Sequence, residues 1–158
     1  RNWTGICIDP EDKYKKFYRF FRPKDKFINC GIGLKKKKLV FYKFNPTTLS
    51  TFSGKSAQRY IKIGYKLIDK KKIYTYPLKE LIKSNFDLLS IDTEGFEMNV
   101  LKSINWKKAK PKVIIIETNL HMSDEKKQRT KITSYLKGKK YKLTYQNEVN
   151  SIFLLKNE

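Results

Sequence analysis

The sequence has little of what builds a metal centre or a membrane span. It contains one histidine and two cysteines, and no CxxC pair, among 158 residues. This spacing cannot supply a Cys/His zinc site, so no metal site is predicted. No apolar run approaches the roughly 18 residues of a membrane-spanning helix. Cys7 and Cys30 each lie in a short apolar segment, where a free thiol behaves as a small buried hydrophobic group. We therefore expect a reducing compartment, the cytoplasm.

Acidic residues are scarce, since 15 Asp and Glu stand against 36 Lys and Arg and give a formal net charge of +21. Such a charge is typical of proteins that bind nucleic acid or anionic membranes. Nearly all of the excess is lysine spread along the whole chain, with runs at 35–38 and 70–72. Lysine runs are usually solvated, and a skewed genome composition would also produce them. A non-catalytic basic module that binds nucleic acid through lysines and stacked aromatic rings stays as the alternative interpretation.

The apolar content, 39% hydrophobic and 14% aromatic residues, suits one core and predicts a single domain over residues 1–158. Strands are predicted at 5–8, 27–30, 39–44, 60–68, 72–77, 86–91 and 113–116, and a final antiparallel hairpin at 141–145 and 151–155. We expect strand 39–44 to pair with strand 27–30, and residues 45–57 to form a long polar loop. Helices are predicted from Pro10 to about residue 21 and over 78–84, 97–104 and 123–136. This alternation indicates an α/β fold.

The stretch 87–101, DLLSIDTEGFEMNVL, is the most informative part of the sequence. A short apolar strand ends at Asp92 and Glu94, and a helical pattern follows Gly95. In open parallel sheets the ligand lies outside the carboxyl ends of the strands, so Asp92 and Glu94 are candidate catalytic residues. The alternative is that Asp92 caps the helix and that Glu94 and Glu97 interact with its positive end.

Other strands of the predicted sheet also end in polar residues. Asp9 follows strand 5–8, where a carboxylate can accept hydrogen bonds from a ribose or cap the next helix. Glu117 and Asn119 follow strand 113–116, and His121 lies just beyond. Histidine is a natural acid or base near neutral pH, although an exposed histidine at a helix entry is the simpler interpretation.

Glycines stand at the end of the second predicted strand, at positions 31 and 33. A missing side chain there lets the backbone approach a flat ligand, although a turn needs glycine equally.

Several segments together resemble the FkbM family of S-adenosylmethionine-dependent methyltransferases. They are WTGICIDP, RPKDKFINCGIG, YPLKELI, SIDTEGFEMNVL and KPKVIIIETN, in that order. The most specific is SIDTEGFEMNVL, which is close to the family pattern I-D-V-E-G-x-E with Thr93 in place of the usual Val. The resemblance covers nearly the whole chain.

The resemblance implies a class I methyltransferase (Rossmann-like) sheet, mostly parallel with an antiparallel C-terminal hairpin. S-adenosylmethionine would lie across the strand ends. The activity it implies is O-methylation of a hydroxyl on a sugar or another small molecule. The residues it assigns are Asp9 for the ribose; Gly31 and Ile32 for the adenine; Asp92, the first choice of base, and Glu94 as catalytic residues; and Glu117, Asn119 and His121 in the acceptor pocket.

The sequence departs from this family in one respect. The strand and glycine-rich turn that hold the methionine part of the cofactor should precede Trp3, yet only Gly5 stands before Asp9. The sequence therefore predicts an N-terminally truncated methyltransferase domain that lacks its first strand and helix.

Overall fold

Helices and strands alternate along the chain, in a computed structural model that describes residues 3–118 and 123–156. The strands are β1 (Ile6–Ile8), β2 (Lys26–Ile28), β3 (Gly31–Ile32), β4 (Lys37–Asn45), β5 (Lys66–Tyr76), β6 (Leu88–Ile91), β7 (Val113–Glu117), β8 (Tyr141–Gln146) and β9 (Asn150–Leu155). The helices are α1 (Tyr14–Phe21), α2 (Gly54–Lys62), α3 (Leu78–Leu81), α4 (Glu97–Lys102) and α5 (Ser123–Lys137). The predicted α/β class is confirmed.

The strands pair in three groups, with the orders β1-β2, β3-β5-β4 and β6-β7-β9-β8. Three pairings are parallel, β1 with β2, β3 with β5 and β6 with β7. Three are antiparallel, β4 with β5, β7 with β9 and β8 with β9. The C-terminal hairpin is therefore where the sequence placed it. The sheets of the described residues are mixed, however, so the expectation of a mostly parallel sheet is wrong.

Strand β5 differs most from the prediction. It runs without a break through the lysines at 70–72, where a turn between two strands was expected, and it pairs with β4 along its length. The expected hairpin between 27–30 and 39–44 does not form, because β2 pairs with β1 instead. Lysine side chains are compatible with a strand when they extend into solvent, and here they are exposed.

Helix α2 replaces the end of the predicted polar loop and the start of the predicted strand 60–68. The Ser53 hydroxyl caps it by accepting a hydrogen bond from the Ser56 amide at 3.1 Å. Ala57 and Tyr60 pack against Phe44 of β4, and all three side chains are buried. Burial of this helical face decides the local structure, which the polar composition alone did not reveal.

The main core lies between the sheet β6-β7-β9 and helices α4 and α5. Its buried members include Ile91, Ile114, Ile116, Phe153, Val100, Leu101, Ile132 and Leu136. The parallel register aligns Ile91 of β6 with Ile116 of β7, so these strands end side by side. Residues that follow the two strands are consequently neighbours. No helix of residues 3–118 and 123–156 is long and apolar enough to cross a membrane.

Candidate active site

A cleft of about 380 Å³ opens at the carboxyl ends of β1 and β6. Pockets for small ligands have volumes of about 300 to 1,000 Å³, so the cleft can hold one. Its walls include five residues that the sequence singled out, namely Asp9, Gly31, Ile32, Asp92 and Glu94. The structure thus brings the predicted cofactor-binding and catalytic residues to one cavity.

Asp9 follows β1 and lies on one wall of this cleft. Its carboxylate accepts a hydrogen bond from the Glu11 amide at 2.6 Å, and its carbonyl accepts one from the Asn29 side chain at 3.0 Å. Burial is the main cause that raises the pKa of Asp9. Helix α1 begins only at Tyr14, and its N-cap residue is Lys13. Asp9 therefore orders the β1–α1 connection and does not cap the helix.

Glu11, which the sequence analysis did not select, is a buried carboxylate beside Asp9. It is 4% exposed, and one oxygen lies 2.9 Å from the Lys43 ammonium. The other oxygen, Oε1, has no hydrogen-bond partner among the described residues. Glu11 is also among the residues that line the cleft.

Gly31 makes room for an aromatic side chain of the protein itself. A Cβ on Gly31 would lie 2.5 Å from the Phe52 ring and 2.9 Å from the Thr75 methyl group. The Phe52 ring also contacts Phe41 and Phe96, with ring centroids 4.8 Å and 5.9 Å apart. Phe52 thus forms an apolar wall of the cleft, although it belongs to the segment predicted as a polar loop.

The loop after β6 is held in shape by Glu97. This side chain is 1% exposed, and its Oε1 accepts hydrogen bonds from the Thr93 amide, the Thr93 hydroxyl and the Gly95 amide at 3.0 to 3.1 Å. Its Oε2 accepts one from the Gln128 side chain of α5 at 2.5 Å. Glu97 is therefore the brace of the loop. The sequence signal for it was the final acid of the D-T-E-G-F-E motif.

Glu94 connects the same loop to helix α2. Its backbone has a positive φ of 52°, and its carboxylate accepts a hydrogen bond from the Tyr60 hydroxyl. Its carbonyl accepts a second bond from the Thr51 hydroxyl at 2.8 Å. Burial raises the pKa of Glu94, and the bond from Tyr60 opposes this effect. Tyr60 was not predicted as a site residue because its partner is 34 positions away in sequence.

Glu117 completes a group of three carboxylates. Oxygens of Asp92, Glu94 and Glu117 all lie within 4.8 Å of one another. Burial, followed by the negative charges of Asp92 and Glu94, raises the pKa of Glu117 to about 9. The hydrogen bond to Asp92 acts in the same direction, so these causes together favour the protonated form of Glu117. Asp92 itself is exposed to solvent.

The same three carboxylates are close enough to serve as ligands of one cation. Hard divalent cations such as Mg²⁺ and Ca²⁺ prefer oxygen ligands of this kind. Cysteine and histidine spacing cannot reveal this group, because its carboxylates come from two strand ends that lie far apart in the sequence. A proton on Glu117, a bound cation and the nearby Arg59 guanidinium can each offset this concentration of negative charge.

Two predicted acceptor residues, Asn119 and His121, lie outside the described residues. Their assignment stays a prediction. Glu117, the third member of that set, also borders a smaller cavity of about 40 Å³ that Arg59, Glu97 and Gln128 help to line.

A mixed α/β domain with carboxylates gathered at neighbouring strand ends is an arrangement that ligand-binding α/β enzymes use. The family described as the Methyltransferase FkbM domain matches residues 1–143. This chain belongs to the FkbM methyltransferase family, which confirms the resemblance seen in the sequence.

One solved structure supports the fold. The crystal structure of methyltransferase FkbM from Methylobacillus flagellatus KT superposes with a TM-score of 0.56 at 15% sequence identity. The match covers 94% of this chain and 36% of that one, so this chain spans about a third of the other's length. Comparison with curated proteins finds no match.

Proposed function

We propose that residues 1–158 form a methyltransferase domain that uses S-adenosylmethionine to methylate a hydroxyl oxygen. The observation that carries the proposal is the common cleft bordered by Asp9, Asp92 and Glu94. Membership in the FkbM family supports the reaction class. A cleft with an acid at one end and an acidic cluster at the other has separate places for a ribose and for an acceptor hydroxyl.

The cofactor supplies a methyl group attached to a positively charged sulfur. On our proposal, the Asp9 carboxylate accepts hydrogen bonds from its ribose hydroxyls, and Gly31 and Ile32 contact its adenine. The Phe52 ring beside Gly31 adds a flat apolar surface at this place. Glu11 Oε1, which has no hydrogen-bond partner among the described residues, gives the cleft a further acceptor for a donor on the ligand.

Asp92 is the residue we propose as the base. Methyl transfer needs an oxygen nucleophile held in line with the methyl carbon, and a carboxylate nearby can take the hydroxyl proton. Glu94 is already engaged by Tyr60, and Glu117 holds a proton at neutral pH. Asp92 is the exposed carboxylate of the cluster, and on our proposal it exchanges its hydrogen bond with Glu117 for one with the acceptor hydroxyl and takes that proton. Glu94 orients the loop and stays the alternate base.

The acceptor we propose is a sugar or another small hydroxyl compound. Polar side chains border the acidic cluster, and they include Arg59, Tyr60 and Gln128. Such groups can donate and accept hydrogen bonds to several hydroxyls of one ligand. Cys7 and Cys30 are free thiols, which supports a cytoplasmic location.

A further strand between β1 and β6 is also part of the proposal. Among the described residues, β1 pairs only with β2 and β6 only with β7. Both strands end at the same cleft, and the side chain of Ile8 packs against the core that contains Ile91. A parallel strand added there would join the two sheets and correspond to the first strand that the FkbM resemblance implies.

Calorimetric titration of S-adenosylhomocysteine tests the cofactor assignment. The ligand is titrated into this chain and into a longer form that supplies further N-terminal residues. We expect binding by the longer form, and its loss in the longer Asp9→Ala variant. Binding by neither form would refute the cofactor assignment. Equal binding by both would show that the additional strand is not needed.

A further inference from the structure

The hairpin of β4 and β5 presents a row of lysines and tyrosines on one face. Directly paired residues of antiparallel strands share a face, and successive pairs alternate between faces. Lys38 pairs with Tyr74, Val40 with Lys72 and Tyr42 with Lys70. Together with Lys36 and Tyr76, these residues form what we call the lysine–tyrosine face.

Each tyrosine of this face lies beside an ammonium group. The nitrogens of Lys38, Lys36 and Lys70 lie 4.9 to 5.7 Å from the ring centroids of Tyr74, Tyr76 and Tyr42. The Tyr74 and Tyr76 rings are neighbours, with centroids 6.2 Å apart. Positive charge and aromatic surface therefore alternate over a short distance along the hairpin.

The face is open along most of its length. Lys36, Lys38, Lys70 and Lys72 are all exposed, and Tyr74 is 47% exposed. Helix α2 covers the end near Phe44, where Tyr42 of the face packs against the buried cluster of Phe44, Ala57 and Tyr60. The opposite side of the hairpin is different, because Phe41 packs there against Phe52 in the wall of the cleft. The lysine–tyrosine face is thus separate from the proposed active site.

No acidic side chain belongs to this face among the described residues of the hairpin. Asp69, the acid of β5, pairs with Lys43 in the alternate set of positions. Four ammonium groups with no carboxylate among them attract a polyanion. Val40 is the sole aliphatic residue of the set. The face therefore lacks the broad apolar surface that an interfacial membrane contact buries.

We propose that the lysine–tyrosine face binds single-stranded nucleic acid. The lysines contact phosphates, and the Tyr74 and Tyr76 rings provide surfaces on which unpaired bases stack. A duplex keeps its bases stacked on one another and cannot use the rings in this way. The proposal is independent of methyl transfer, because none of these residues belongs to the cleft.

Fluorescence anisotropy with a short labelled oligouridylate tests the proposal at roughly 150 mM salt. The first variant replaces the lysines of the face by glutamine at positions 36, 38, 70 and 72. Its matched control replaces four exposed lysines elsewhere, at positions 107, 110, 131 and 137. We expect at least a tenfold loss of affinity in the first and less than a threefold loss in the control. Equal losses would mean that only overall charge matters, and would overturn the proposal.

The salt dependence gives a second readout. Each phosphate contact to a single strand contributes about −0.7 to the slope of log K against log salt concentration. Removing four such contacts should therefore reduce the slope by about 3 in magnitude. An unchanged slope would contradict a direct role of these lysines.

Stacking is tested separately with Tyr74→Leu, which keeps an apolar side chain of similar position but removes the ring. Stacking of one base on an aromatic ring predicts a loss of roughly fivefold or more. Tyr145→Leu on β8, where the ring is 53% exposed, is the control and should change affinity little. Three outcomes would each overturn the proposal. They are undiminished binding by Tyr74→Leu, equal competition by a duplex, and binding through this face to phosphatidylserine vesicles in preference to the oligonucleotide.

Discussion

The Tyr60 hydroxyl of α2 donates a hydrogen bond to the Glu94 carboxylate in the loop after β6. This contact joins a helix that the sequence did not predict to a motif that it did. It places the aromatic ring beside the acidic cluster and limits the freedom of Glu94. Helix α2 is therefore part of the proposed site. It contains none of the predicted site residues, but it holds one of them, Glu94, through Tyr60.

Replacing Tyr60 by phenylalanine should destabilise the domain. The substitution leaves the ring in the core of Phe44 and Ala57 but removes the donor to a largely buried carboxylate. Hydrogen bonds to charged groups contribute about 1.5 to 3 kcal/mol, and partial exposure of this site places the loss near the lower end. Urea denaturation measures it, with Tyr145→Phe as the exposed control. Equal free energies of unfolding for Tyr60→Phe and the unmodified chain would contradict the importance of the bond.

Gly95→Ala should be much more harmful than the same change at Gly64. The φ angles are nearly equal, 95° and 97°, so the backbone cost of about 1 to 2 kcal/mol is shared. A Cβ on Gly95 would collide with the Ser56 hydroxyl, whereas nothing lies within 4 Å of a Cβ on Gly64. The difference between the two variants in thermal or urea unfolding measures the cost of the collision with Ser56. Similar losses in both would show that α2 yields to the added methyl group.

Glu117 should make the domain less stable as pH rises through the neutral range. Its pKa is raised from 4.5 to about 9 in the folded state. Below pH 4.5 both folded and unfolded chains hold the proton, so this group does not make stability vary with pH there. Between these values only the folded chain keeps it, and the free energy of unfolding falls with increasing pH. Glu117→Gln should remove this fall, and the control Glu80→Gln, which changes an exposed carboxylate on α3, should retain it.

The same variants distinguish a proton from a bound cation at the acidic cluster. If Glu117 is protonated, Mg²⁺ should not raise the melting temperature of the unmodified chain at pH 7. A rise that disappears in Glu117→Gln would instead show that Asp92, Glu94 and Glu117 hold a cation, because a neutral amide is a poorer ligand than a carboxylate.

Substitutions at Asp92 and Asp9 should have different effects, the first on turnover and the second on cofactor affinity. Both are measured in the form of the protein that binds cofactor. Asp92→Asn removes the proposed base and should abolish most turnover, with affinity for S-adenosylhomocysteine within a few fold. Asp9→Ala should weaken that affinity by about 1.5 to 3 kcal/mol through the lost ribose hydrogen bonds. Full turnover by Asp92→Asn, or unchanged affinity in Asp9→Ala, would refute the corresponding role.

The predictable part of the site comes from local sequence patterns. An apolar strand followed by an acid and a glycine is visible in SIDTEGFEMNVL without knowledge of the fold. The sequence analysis therefore placed Asp9, Asp92 and Glu94 correctly at strand ends, and the structure brings them to one cleft. Glu97, for which the sequence offered only an interaction with the positive end of helix α4, also braces the loop, because its Oε1 accepts three hydrogen bonds from nearby Thr93 and Gly95.

Residues whose environment depends on distant partners were missed. Glu11 is buried because Lys43 of β4 reaches it, and Phe52 lies in the cleft because Gly31 leaves room for its ring. The lysines at 70–72 look like a turn in isolation, yet they form a continuous strand because β4 supplies hydrogen-bonding partners along their length. The residues next to each of these positions in the sequence give no information about such distant contacts.

The sequence alone determined the α/β class, the FkbM family and the acids at the strand ends, since each depends on short-range periodicity and motif spacing. The tertiary structure decided which of these acids share a proton. Parallel alignment of Ile91 with Ile116 sets Asp92 beside Glu117, and burial together with the charges of Asp92 and Glu94 then raises the pKa of Glu117. Charge coupling of this kind arises only when separate strand ends meet in a poorly solvated cleft.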